Sequence, residues 1–318
     1  MNIPAFNRLR KGSQVLMLAL VLSVLIGPFA LSLGAAPPSN RLFVYVVTAN
    51  NQFGVVNLVT GAFHQIGPLT PEGQANLVWW NGSLLSLTFS GELEKINPAT
   101  GETSDIGPTG LGVNAVDLGE VRGKLYATDF SNNIYSVNPD TGEATFLRAT
   151  GISPIPVLSF TVNSDGTVNL FDESLYGTAG KLYATFDAFT VNPTTLVQTP
   201  DSENPEFNCC GPTLYQIDPS TGIATAIGPT KLNLGSTVEV NGEFYAFRWV
   251  VTGCDPCTPA ADFEPQIKSQ LLRLDLRNGN TTPVENAGGP IFVDAAAGGI
   301  AGAVPYFGEQ KPERKHWR

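Results

Sequence analysis

From residue 42 onward, short apolar runs alternate with polar turns at a period close to forty residues, and three phrases recur in a fixed order. The first is an apolar run: NLVWW (76–80), NAVDL (114–118), PVLSF (156–160) and STVEV (236–240). The second follows a glycine turn: VYVVT (44–48), LLSLT (84–88), LYATD (125–129), LYATF (182–186) and FYAFR (244–248). The third ends a short strand on Asn or Asp and turns at once into another: VNLVTGAFHQIGP (56–68), INPATGETSDIGP (96–108), VNPDTGEATFLRA (137–149), IDPSTGIATAIGP (217–229) and LDLRNGNTTPVEN (274–286). In the full form of that phrase proline presets φ at the second turn position. The Asx side chain bonds forward into the turn, and glycine takes φ > 0. Asn81-Gly82 and Asn241-Gly242, ahead of the second phrase, are strong two-residue hairpin signals.

Each period therefore predicts four strands, A to D, in meander order. A four-stranded meander repeated every forty or so residues is a propeller blade. The expected fold is all-β, a single β-propeller over 37–304. The first period has no strand A before Leu42, whereas an apolar segment, 291–304, is left over after the last strand D. The simplest use of the surplus is as strand A of the first blade, which closes the ring and removes an exposed edge.

The turn glycines fall at 61, 101, 142, 222 and 279, so the gaps are 40, 41, 80 and 57. The long gap holds either one enlarged blade or a degenerate extra one around Tyr176–Gly180, giving five blades or six. Five is favoured, because Gly180 to Thr185 repeats Gly123 to Thr128 residue for residue.

Residues 1–36 do not fit the repeat. Arg8, Arg10 and Lys11 precede an almost uncharged apolar run, Val15 to Leu33, and the small residues Ala35-Ala36. That is the layout of a secretory signal peptide. The run is also long enough to serve as an uncleaved membrane anchor, an alternative supported by Pro37 directly after Ala36. Either reading places the remainder outside the cytoplasm, periplasmic or secreted, with membrane contact only through such an anchor. Without the three basic residues the net charge moves from −10 to −13, a balance that disfavours nucleic acid as a partner. Residues 305–318 end in the basic run KPERKHWR, expected to be a solvated tail.

The Y-x-(I/V)-(N/D)-P-x-T-G phrase resembles exported bacterial propellers of uncharacterised function and, more broadly, the blade phrases of lactonase-like and quinoprotein-like propellers. The likeness covers about 42–304. It implies architecture and hardly any chemistry. The tryptophan-docking pattern of quinoprotein blades is absent, and no cofactor is implied.

Candidate chemistry is sparse. His64 and His316 are the only histidines, which argues against a His-based triad and a His-rich metal site; no metal ligand set is assigned. Asp117 and Glu239 lie in strands A, which line a propeller's channel. Paired carboxylates there suit general acid and base work, so they are the weak catalytic candidates of an exported hydrolase or lyase. Asp172 and Glu173 follow an apparent insertion at 161–171. Asp129 to Asn133 is an oxygen-rich B–C loop, expected to be an Asx turn rather than a cation site. Trp79 and Trp80 are adjacent in a strand and must point to opposite faces, so at least one belongs to the core.

The clearest departure from the repeat is in the B–C connections. From the B phrase to the C strand the spacing is nine residues in three blades (Val44–Phe53, Leu84–Leu93, Leu125–Ile134), but 32 from Leu182 to Leu214 and 27 from Phe244 to Leu271. Two adjacent blades thus carry long loops, 187–213 and 249–270, on one face, and function concentrates on such loops. The leading expectation is a non-catalytic propeller that binds or scaffolds an unknown ligand or protein through them. All four cysteines, Cys209, Cys210, Cys254 and Cys257, lie in these loops, and an exported chain with an even cysteine count oxidises them as a rule. A vicinal 209–210 bridge forces a strained ring, which favours cross-links between the loops at Cα separations of about 4.4–6.8 Å. Peptide mapping of the unreduced exported protein is expected to recover at least one bridge joining 209/210 to 254/257. Recovery of intra-loop bridges alone, or of four free thiols, contradicts that assignment.

Overall fold

A computed structural model describes residues 42–48, 50–69, 73–152, 161–162, 168–191, 198–200, 213–254, 265–293 and 297–301. The expected signal segment, the basic tail and part of each long connection lie outside them. The described strands form five antiparallel sheets arranged as the blades of a propeller, plus one two-stranded hairpin. Blade two is the plainest: A Gln74–Trp80, B Ser83–Thr88, C Glu92–Ile96, D Thr103–Pro108. Blade three repeats it with Ala115–Val121, Lys124–Asp129, Asn133–Val137 and Ala144–Ala149. Blade five uses Ser236–Val240, Glu243–Cys254, Pro265–Leu274 and Thr281–Pro283.

Blade one takes its strands B, C and D from Phe43–Thr48, Gln52–Asn57 and Phe63–Leu69. Its strand A is Ala297–Ala301 from the other end of the chain, paired antiparallel with strand B from Tyr45↔Ala301 to Thr48↔Ala297. The surplus C-terminal segment therefore closes the ring, as its apolar character predicts.

Blade four departs from expectation. Its strand A is Val168–Thr178, paired over its whole length with strand B, Lys181–Val191; strands C and D are Thr213–Ile217 and Ala224–Pro229. The segment expected as its inner strand, 156–160, lies outside the described residues. The stretch 168–171, read as part of an insertion, is the start of the inner strand, and Tyr176–Gly180 leads into its A–B turn rather than into a sixth blade. This turn has Ala179 and Gly180 at φ +49° and +78°, like Asn81-Gly82 and Asn241-Gly242. Ala in the left-handed position hides the turn from a search for Asn-Gly.

Strand alternation makes the core. On each strand B, successive side chains point to the two neighbouring blades. In blade one, Val44 and Val46 pack with Val238, Tyr245, Phe247 and Leu271 of blade five, while Tyr45 and Val47 pack with Leu77, Leu84 and Ile96 of blade two. Leu85 and Leu87 meet Leu118, Leu125 and Ala127 of blade three. Tyr126 meets Leu175 and Leu182 of blade four, and Leu214 meets Ala246 and Leu272 of blade five. The core is thus five apolar layers between blades, each side chain contributing about 1.5–3 kcal/mol on burial.

The repeated C–D turn has the geometry its residues predict. Asn57, Asn97, Asn138, Asp218 and Asp275 each accept, through Oδ1, the main-chain N–H two residues on, at 2.8–3.0 Å. The turn glycines have φ between +70° and +81°. Hydrogen bonds from Ser220 hold the Asp218 carboxyl below its usual range, and those from Arg277 do the same for Asp275.

The second glycine of the phrase, in Ile-Gly-Pro, has a reason that spacing alone does not reveal. It brings the outer strand of one blade against the turn of the next. A Cβ on Gly107 would lie 2.4 Å from Thr141 O, and one on Gly142 would lie 2.1 Å from Gly107 O. Gly67 meets Thr100 and Gly228 meets Asn278 in the same way. Blade three has Arg148 in place of this glycine, and its guanidinium instead donates to Thr221 O of blade four at 3.2 Å.

Two predictions follow the closure and the turn contacts. Truncation after Val293 removes strand A of blade one; the product is expected to aggregate and to lose cooperative unfolding, checked by light scattering and thermal melts. Gly142→Ala is expected to cost about 2–4 kcal/mol, because strain at positive φ adds to collision with the neighbouring backbone. Gly82 has φ +80° with nothing within 4 Å of the point a Cβ would occupy, so Gly82→Ala should cost only about 1 kcal/mol. Chemical denaturation of the two variants separates the contributions.

Candidate functional site

The inner strands place equivalent residues on two levels. Asn76, Asp117, Ser174 and Ser236 stand opposite the equivalent strand B residues Leu87, Thr128, Thr185 and Phe247. Three residues on, Trp79, Glu120, Gly177 and Glu239 stand opposite Leu84, Leu125, Leu182 and Phe244. The two carboxylate candidates therefore occupy different levels. The residue matching Asp117 in blade five is Ser236, and the residue matching Glu239 in blade three is Glu120.

Their side chains also face different seams. Asp117 is buried between blades three and four. Its Oδ1 accepts Leu118 N–H at 2.7 Å, and its Oδ2 accepts the N–H of Leu175 in blade four's inner strand. Glu239 faces the seam between blades four and five, where its Oε2 accepts the Thr178 hydroxyl. Both carboxylates thus bond blade four's inner strand to a neighbour, three residues apart along it. The arrangement does not bring them together as an acid–base pair.

At the level of Asp117, Ser174 Oγ lies 3.0 Å from Oγ1 of Thr237, the residue after Ser236, and the Thr185 hydroxyl donates to Leu234 O at 3.1 Å. Asn76 breaks the series. Its amide oxygen is buried without a hydrogen bond among the described residues, and the donor matching Leu175 N–H, that of Leu118, is held by Asp117. At the level of Glu239, glycine is required at 177, where a Cβ would run into Glu120 O. Tyr176 packs edge-on against Phe244, with ring centroids 6.3 Å apart. Burial pushes its phenol from an ordinary 10.0 up to about 12, with the Glu239 and Glu120 charges adding to the shift. Glu120, Tyr176 and Thr178 carry no motif that singles them out in sequence, although alignment of the blades on their B phrases matches Glu120 to Glu239.

The other candidates have structural roles. Asp129 makes the expected Asx turn: Oδ1 accepts Ser131 N–H and Asn133 N–H, and Oδ2 accepts Asn133 Nδ2 and the Tyr135 hydroxyl, at 2.8–3.0 Å. Those four donors use the oxygens that a cation would need. Trp79 packs into the seam between blades one and two, and Trp80 into that between two and three; Trp80 Nε1 donates to Gly123 O at 2.8 Å. His64 is exposed on blade one's outer strand, and His316 lies outside the described residues. Asp172 and Glu173 are on blade four's inner strand, opposite Asp187 and Phe186. Among the described residues, no cluster of three or more His, Cys, Asp or Glu side chains suits a metal.

The long connections prove to be partly strand. In blades one to three strand B has 6 residues, but it has 11 in blade four and 12 in blade five. Blade four's extra length pairs with its own inner strand as far as Val168↔Val191, and Gln198–Pro200 adds beside it. Blade five's extra length is a B–C ribbon that runs to Cys254↔Pro265. Both ribbons leave the ring where the strands B end. They are not equivalent B–C loops: one is built on strand A and the other on strand C. Cys254 ends its strand; Cys209, Cys210 and Cys257, and with them the cross-link expected between the loops, lie outside the described residues.

No family model matches the chain, and no curated protein matches it. Solved structures similar to it include a protein of unknown function from Bacteroides thetaiotaomicron, at 14% identity and a TM-score of 0.41. That likeness covers 83% of this chain and 62% of the other. TolB from Acinetobacter baumannii is similar at 13% identity and a TM-score of 0.40, over 95% of this chain and 75% of the other. Myxococcus xanthus glutaminyl cyclase is similar at 13% and 0.35, over 82% and 75%. The five-bladed ring rests on the strand pairing described above, not on these likenesses.

Two outcomes are expected at these residues. Asp117→Ala strands two buried main-chain donors and should destabilise the protein by about 2–5 kcal/mol, whereas Glu239→Gln keeps an acceptor for Thr178 and should cost less than about 1 kcal/mol. Denaturant titration distinguishes them. For Tyr176, a folded-state pKa above the unfolded one gives stability that is present below pH 10 and lost as pH rises towards 12. Tyr176→Phe should therefore flatten the alkaline fall in melting temperature over that interval.

Proposed function

We propose that this chain is an exported, non-catalytic propeller that binds or scaffolds a partner through the face bearing the two ribbons. The observation that carries the reading is the doubling of strand length in blades four and five alone, on the side where the strands B end. Blades one to three keep short B–C turns there. Antiparallel ribbons that outgrow the sheet extend paired backbone past the point where the strands B of the other blades stop. Such positions are where binding residues concentrate on a rigid scaffold. Export rests on the N-terminal sequence pattern. The alternative, a hydrolase or lyase using channel carboxylates, loses its main support because Asp117 and Glu239 are each bonded to a different position on blade four's inner strand.

The test is a variant in which 252–266 is replaced by a two-residue Asn-Gly turn joining the paired residues Val251 and Ile267, with the rest of the chain intact. It is expected to melt like the parent, because the ladder up to Val251↔Ile267 is kept, and to lose the partners that the parent retains in a pull-down from the exported fraction. Equal capture by parent and variant would overturn the assignment of that ribbon.

A further inference from the structure

The second residue of each B phrase is Tyr45, Leu85, Tyr126, Tyr183 or Tyr245, so blade two alone lacks the tyrosine. Each stands opposite an equivalent residue of strand C: Val55, Lys95, Ser136, Gln216 and Arg273. Blade five shows where the phenol goes. The Tyr245 hydroxyl donates to Glu243 Oε2 at 2.7 Å, and Arg273 pairs with the same oxygen at 3.6 Å. Glu243 directly follows the glycine of the A–B turn, so the phenol reaches the turn end of the blade and is capped there. In blade four the residue at that place, Lys181, donates to Gln216 Oε1 at 2.8 Å. Blade two has a short residue at both positions, Leu85 for tyrosine and Ser83 at the cap. Leu85 packs with Leu118 and Leu125 of blade three, and a leucine stops well short of a phenol's oxygen. Trp80, paired with Ser83 across the turn, reaches instead to Gly123 O of blade three.

The turn end of blade two holds a cavity of about 360 Å³, a size that small-molecule sites have. Ser83, Lys95 and Ser104 line it, with Pro98; alternation and register put these three polar residues on the side of the sheet that Leu85 faces. Arg273 and Gln216 have partners at the matching place, but Lys95 does not. Among the described residues no carboxylate pairs with its ammonium, and the side chain is exposed. Glu102 also lines the cavity, and its Oε2 accepts the Thr100 hydroxyl at 3.2 Å.

We propose that this cavity binds a small aromatic carboxylate. Its ring takes the place that a tyrosine ring has in the other four blades. Its carboxylate meets the Lys95 ammonium, and the Ser83 hydroxyl donates to it, a charge-assisted arrangement that blade five makes internally with Glu243 and Arg273. The cavity lies at the turn end of its blade, whereas the ribbons leave from the opposite end, so this inference is independent of the binding role.

Ligand-detected NMR titration of the purified chain with para-hydroxyphenylacetate tests it, with thermal melts to confirm folding. Saturable binding with a Kd of about 1 mM or tighter is expected. Acetate, which has the charge without the ring, and para-cresol, which has the ring without the charge, should each bind at least about tenfold more weakly. Leu85→Tyr restores the residue of the other blades and should abolish binding with no loss of melting temperature. Lys95→Gln, at an exposed position, should weaken binding of the carboxylate by about fivefold or more and leave para-cresol unaffected. It is the decisive change should Leu85→Tyr melt early. A parent that shows no saturable binding, or a folded Leu85→Tyr variant that binds like the parent, overturns the site. Acetate binding as tightly as the aromatic acid, or a Lys95→Gln variant that binds the acid like the parent, overturns the ligand class.

Discussion

The ring depends on the close approach of one blade's outer strand to the next blade's turn. Gly107 against Thr141 and Gly142, and Gly228 against Asn278 and Gly279, bring main chain onto main chain at distances that no Cβ tolerates. That approach sets how near adjacent sheets lie. The apolar layers between them, Leu85 and Leu87 on Leu118 and Leu125 for example, can fill the remaining gap only at that spacing. The same phrase therefore does two jobs. Its first glycine makes a hairpin, and its second makes room for the neighbouring one. Blade three shows the cost of losing the second: a long Arg148 side chain must reach across to Thr221 in its place.

Closure converts these pairwise contacts into a single structure. Each strand B sends alternate side chains to the blade before and the blade after, so no blade has a face to spare. A ring of such units leaves two unsatisfied faces unless the last meets the first. Val44 and Val46 on Tyr245 and Phe247 complete that circuit, and the strand borrowed from the C-terminal side makes it a hydrogen-bonded one. The polar inner level, from Asp117 through Ser174 to Thr237, then ties the inner strands of blades three, four and five directly to one another.

Much of this was legible in the residues. Pro, Thr and Gly in the C–D turn, Asn-Gly in the A–B turn, and an unclaimed apolar segment at the end specified blade order, blade count and the closing strand. The inner strand of blade four was not legible. Its partner phrase begins at Gly180 as expected, but its own sequence, VNLFDESLYGT, alternates less cleanly than PVLSF just upstream, and its turn uses Ala179 where other blades use Asn or Arg. The carboxylates mislead for a different reason. Asp117 and Glu239 share a type of strand, but sequence shows neither their level along it nor the seam each faces. Those follow from register, and register places a bonded main-chain N–H at one and a hydroxyl at the other. The ribbons looked like loops because length alone does not distinguish an irregular insertion from two strands that continue to pair.

The closing ladder has a mechanical side. Strand Phe43–Thr48 begins, and strand Ala297–Ala301 ends, at the same edge of blade one, since Tyr45 lies opposite Ala301. A force applied through the two flanking segments would load those hydrogen bonds one after another from that end, as a zipper is opened, rather than all at once in shear. A molecule held by five interlocked seams would thus open under tension at low force. An attachment that pulled on one flank alone would spare the ladder and leave the ring shut.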